Sequence, residues 1–98
     1  MRDPKILEAV KQSLALLTKR APGRAIEVRI PPYAAVQCGD GPTHTRGTPP
    51  NVIEMNAETW LALASGERSW ADAMSAGLIS ASGVRADLTE LLPLEVKQ

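Results

Sequence analysis

The sequence predicts an α+β domain, on three observations. An amphipathic helical stripe fills residues 3–19, period-two and apolar runs broken by proline and glycine occupy residues 24–55, and two short capped helical patterns follow from residue 57. A length of 98 residues leaves room for one core, so residues 1–98 are expected to form a single domain, with a helix over about 3–19 and a core over about 22–94.

Each element has a local cause. Asp3 is placed to cap the first helix, Pro4 sits at its first position, where a missing N–H is harmless, and Ile6, Leu7, Val10, Leu14 and Leu17 form one apolar stripe. Ala21-Pro22-Gly23 stops that helix. From Arg24 to Ile30 the pattern alternates: Ile26, Val28 and Ile30 fall on one face, Glu27 and Arg29 on the other. Pro31-Pro32 ends this strand, because proline cannot donate to a ladder, and Tyr33 to Cys38 reads as a second.

Gly39-Asp40-Gly41-Pro42 is turn chemistry, from which Thr43 to Arg46 is expected to return antiparallel. After Gly47-Thr48-Pro49-Pro50, Asn51 to Met55 supplies another strand. Asn56 is the expected cap of a helix over 57–65 closed by Gly66, and Ser69 starts a second short helix closed by Gly77. Leu78 to Ser82 reads as the last strand, and 85–92 as a terminal helix ended by Pro93.

Composition narrows function more than it names it. Eleven basic residues balance eleven acidic ones, which removes the cationic excess that nucleic-acid binding requires. No run approaches the roughly 20 apolar residues of a membrane span, so stable membrane insertion is not expected. Cys38 is the one cysteine, so no internal disulfide forms, and with no secretory-signal pattern at the amino terminus the expected compartment is the cytoplasm. One His and one Cys cannot close a four-ligand zinc site without help, so neither a metal nor another cofactor is expected.

The run from Trp60 to Gly66, then Ser69-Trp70-Ala71-Asp72-Ala73-Met74, then Gly77 to Gly83, resembles the sterol carrier protein family. The segments Pro31 to Cys38 and His44 to Asn51 resemble the small bacterial orthologues of that family more specifically. The resemblance implies a sterol-carrier-like, curved, mostly antiparallel sheet of four to five strands covered by helices. It further implies an apolar tunnel between the layers, lined by Leu88, Leu91 and Leu92, by Met74, and by Met55 or Val36. The chain has fewer residues before the Gly66 segment than the lipid-carrying members, which leaves either a shallow tunnel or a filled one.

Three functional classes follow. The leading one is noncatalytic binding or carriage of an apolar or amphiphilic, lipid-like molecule, its polar head near His44, Arg46 and Asn51. Here an Arg fork and neutral hydrogen-bonding groups share one loop. The same polar residues also suit an ordinary solvated hairpin, and the methionines and leucines suit a filled core. The second class is a protein-interaction module, or homodimer, pairing through the strand Arg24 to Ile30 if that strand lies at the sheet border. The third is a thiol-dependent enzyme or accessory domain, an enzymatic site being built on Cys38 and His44. It requires a hairpin register that sets them opposite each other, and no residue pattern supplies an oxyanion hole.

Overall fold

A computed structural model describes residues 3–41 and 51–94. The first helix, α1, runs Pro4–Arg20, and the Asp3 carboxylate accepts from the amides of Lys5 at 2.8 Å and Ile6 at 3.4 Å. Val10, Leu14 and Leu17 are buried along one stripe, each contributing ~1.5–3 kcal/mol of transfer free energy to its docking. Lys19 and Arg20 lie in the last turn, where cations favour the helix dipole.

After α1 the chain turns at Gly23, and its backbone runs so close to the next crossing that a Cβ there would lie 1.9 Å from the Gly39 carbonyl oxygen. Gly23 also has φ +138, so glycine is required at this position on both counts. Strand β1, Ile26–Ile30, and strand β2, Ala34–Cys38, then pair antiparallel with Ile26 opposite Cys38 and Ile30 opposite Ala34. Residues 31–33 make the connection, and the Tyr33 amide donates to the Ile30 carbonyl at 2.8 Å.

The alternation read from the sequence is realised in β1, where Ile26, Val28 and Ile30 are buried. On the other face Arg29 Nε pairs with Glu27 Oε2 at 2.6 Å, a half-buried pair still reached by solvent. Strand β3, Val52–Glu54, lies parallel to β1, and β4, Ser80–Ser82, lies antiparallel to β3. The order is β2-β1-β3-β4, a mixed sheet in which two antiparallel pairings flank one parallel pairing. Strand β1 is therefore flanked on both sides, which corrects the expectation that its edge is open to a partner. The expected return strand Thr43–Arg46 lies outside the described residues.

Helix α2, Ala57–Ser65, starts where the Asn56 side chain accepts the Thr59 amide at 2.8 Å, and ends at Gly66 in the left-handed conformation. Helix α3, Trp70–Ser75, is capped by Ser69, whose hydroxyl oxygen accepts the Asp72 amide at 3.0 Å. Trp60 is fully buried between α2 and α1, and its indole Nε1–H donates to Ser13 Oγ at 2.7 Å.

The expected terminal helix over 85–92 is replaced by turns and a single 3-10 turn, Thr89–Leu91. The reason is local competition. The Asp87 carboxylate accepts both the Thr89 amide at 2.8 Å and the Thr89 hydroxyl at 2.5 Å, holding its carboxyl below the usual range and folding the chain into a side-chain-closed turn. Leu92 precedes Pro93 and is extended, as a residue before proline prefers.

Candidate functional site

Among the described residues, those expected to line a tunnel stand in different surroundings. Leu88 and Met55 are core residues, packed with Val28, Ile53 and Trp60. Val36 is half-buried on β2, and Met74 is 42 % exposed on α3. Leu91 and Leu92 point to different clefts. Leu91 lines one of about 650 Å³ with Ala21, Ile26 and the charged Asp40, Arg85 and Glu90. Leu92 lines one of about 300 Å³ with Leu63, Trp70 and Pro93, and with Arg68 and Ser69 at its polar side.

Asn51 is 3 % exposed, and both ends of its amide are occupied. Nδ2 donates to the Ala25 carbonyl at 2.8 Å, and Oδ1 accepts the Arg85 amide at 2.9 Å. It bridges the start of β1 to the turn after β4. His44 and Arg46, the other two proposed head-group residues, lie outside the described residues, as do Thr43, Thr45 and Thr48.

The apolar cleft is built by chain segments distant in sequence. The C-terminal stretch crosses the end of α2: the Leu94 amide donates to the Ala64 carbonyl at 3.0 Å, and Pro93 lies over Gly66, where an added Cβ would touch it at 3.4 Å. Arg20, at the end of α1, holds this stretch from behind, donating from Nη1 to the carbonyls of Leu91 at 2.8 Å and Pro93 at 3.0 Å, and from Nη2 to Leu94 at 3.3 Å. Three carbonyls that no helix satisfies are thereby paired.

Arg68 stands between this cleft and a polar neighbour of about 400 Å³ lined by Asn56, Glu58, Thr59 and Glu67. Its backbone amide donates to the Ala62 carbonyl, while its guanidinium makes no hydrogen bond or ion pair with another described residue. Of the cleft residues, only Leu92 was anticipated. Leu63 and Trp70 were readable as apolar helix positions and Pro93 as a terminator, but their meeting depends on how the C-terminal stretch folds back.

Cys38 has no exposed surface, and burial pushes its thiol pKa up. A nucleophilic cysteine needs the opposite, an accessible site that favours the thiolate. Among the described residues no group of three or more His, Cys, Asp or Glu is placed to hold a metal ion. No described helix is long and apolar enough to cross a membrane.

Fold and site together define a small α+β domain, a mixed four-stranded sheet packed with helices. The chain belongs to the family of bacterial SCP orthologs, whose model matches residues 2–94, so the resemblance read from residues 60–83 is borne out. This is a sterol-carrier-like family of generally noncatalytic carriers. No curated protein matches the chain.

Proposed function

We propose that this protein binds and carries an apolar or amphiphilic, lipid-like small molecule without transforming it. The apolar part lies against Leu63, Trp70, Leu92 and Pro93, and an anionic end meets Arg68. One observation carries the reading: a mainly apolar cleft with, at its rim, a guanidinium that no other described residue pairs, the combination of surfaces an amphiphile requires. Family membership supports carriage in general. The buried, reduced Cys38 fits a reducing compartment, and the cytoplasm is where we place the activity.

A cleft of about 300 Å³ is at the small end of ligand sites. Burial of about six methylenes at ~0.8 kcal/mol each gives roughly 5 kcal/mol, which corresponds to affinities of about 0.1–1 mM for a simple chain. The test is a titration with alkyl carboxylates of increasing length, followed by tryptophan fluorescence. Trp70 lines the cleft while Trp60 is sealed in the core, so a Trp70→Leu variant assigns the signal. Affinity should rise with chain length and fall several-fold in Arg68→Gln. A response that is independent of chain length, or unchanged in both variants, rules the site out.

A further inference from the structure

Arg68 belongs to two recesses at once. It lines the apolar cleft with Leu63, Trp70, Leu92 and Pro93, and it lines the polar recess of about 400 Å³ with Glu58, Thr59, Ala62, Glu67 and Leu78. The polar recess therefore carries two carboxylates and one guanidinium. Its backbone frame is fixed: the Arg68 amide donates to the Ala62 carbonyl at 3.2 Å, and the Glu67 amide donates to Ser65 Oγ at 3.4 Å. Opposite charges around one hollow gain by closing on each other. Here they do not close, for the side chains of Glu58, Glu67 and Arg68 form no ion pair or hydrogen bond with one another or with any other described residue.

Building on the amphiphile reading above, we propose that the polar recess is the head-group subsite of the same ligand. That ligand is then a single-chain zwitterion with its anion next to the chain and an alkylammonium beyond it. The order of charges follows from the order of walls. Arg68 is shared by both recesses, so the anion sits at their junction, and the charges met next, away from the apolar cleft, are the carboxylates of Glu58 and Glu67. Ala62 and Leu78 add methyl surface to the same recess, which suits an ammonium bearing alkyl groups. One chain is the limit, because the apolar cleft holds only about 300 Å³. The two carboxylates also act against competitors: a simple anion drawn to Arg68 meets like charge beside it, and specificity is a difference that such repulsion enlarges.

Titration followed by Trp70 fluorescence, with octyl ligands below their micelle concentrations, tests the arrangement. Octylphosphocholine should bind about threefold or more tighter than octyl sulfate, which has the same chain but no ammonium, a gain on the scale of one exposed ion pair. It should also bind tighter than an octyl sulfobetaine, whose ammonium adjoins the chain and whose anion is terminal. Glu58→Gln combined with Glu67→Gln should move the two ligands in opposite directions, weakening octylphosphocholine and strengthening octyl sulfate. A purely structural role for these glutamates would weaken both alike. Octyl sulfate or sulfobetaine binding as tightly as octylphosphocholine overturns the head-group subsite and leaves the apolar cleft standing. So does a paired glutamine variant that moves both ligands in one direction or moves neither. A wild type that binds none of the three removes the cleft and the subsite together.

Discussion

Replacing Asn51 by alanine removes a buried amide that joins two parts of the chain otherwise linked through β3. The Ala25 carbonyl, itself buried, loses its donor at 2.8 Å, which costs ~1–3 kcal/mol for an unsatisfied acceptor away from water. The Arg85 amide belongs to an exposed residue and regains water, so its loss adds only about 0.5–1.5 kcal/mol. Together Asn51→Ala should destabilise by about 2–4 kcal/mol, a fall in Tm of roughly 10–25 °C for a domain of this size. Urea unfolding at neutral pH measures it directly. Asn51→Asp separates the halves, because a carboxylate still accepts from Arg85 but cannot donate to Ala25; it should lose at least half as much as alanine. A loss below about 0.5 kcal/mol for alanine, or an aspartate variant as stable as wild type, would refute the bracing role. Either result would return Asn51 to the head-group role its neighbours in sequence suggested.

Two further outcomes are expected. Burial raises the pKa of Cys38 above that of a solvated thiol, so the neutral form contributes stability that is complete below the ordinary thiol range and lost as pH rises through the raised value. The urea midpoint of wild type should therefore fall more between neutral and strongly alkaline pH than that of Cys38→Ala, and a thiol reagent should react only on unfolding; parallel midpoint curves would contradict this. Arg20→Met removes the three hydrogen bonds that hold residues 91–94 against the end of α1. It should cost about 1–2 kcal/mol. Faster hydrogen exchange at the Leu94 amide would be the specific sign, and unchanged exchange there would show that the stretch is held by packing alone.

How much of this molecule was legible in advance depended on whether the deciding forces were local. Helix α1, with Asp3 and Pro4 at its start, and α2, between Asn56 and Gly66, were readable because cap, stripe and terminator lie within a few residues of one another. The alternation of Ile26, Val28 and Ile30 gave a strand for the same reason. The place of β1 inside the sheet, and its parallel partner β3, depend on contacts between residues such as Val28 and Ile53, about which neither strand carries local information. The expected terminal helix does not form, because the apolar spacing of Leu88, Leu91 and Leu92 competes with Asp87, whose side chain closes a turn. The site divides likewise. Leu92 was nominated by the family resemblance, whereas Arg68 is notable only because no other described residue pairs with its guanidinium.

The clasp made by Arg20 also bears on the order in which the protein can be completed. Its three acceptors lie 71 to 74 positions further along the chain. Contacts of such separation demand closure of nearly the whole polypeptide into a loop and so are among the slowest to form. During synthesis, α1 leaves the ribosome with its last turn exposed and remains so until Leu94 has emerged. The apolar recess beside Pro93 gains its back wall at that moment and not before, so a nascent chain that already contains β1 to β4 still lacks that recess.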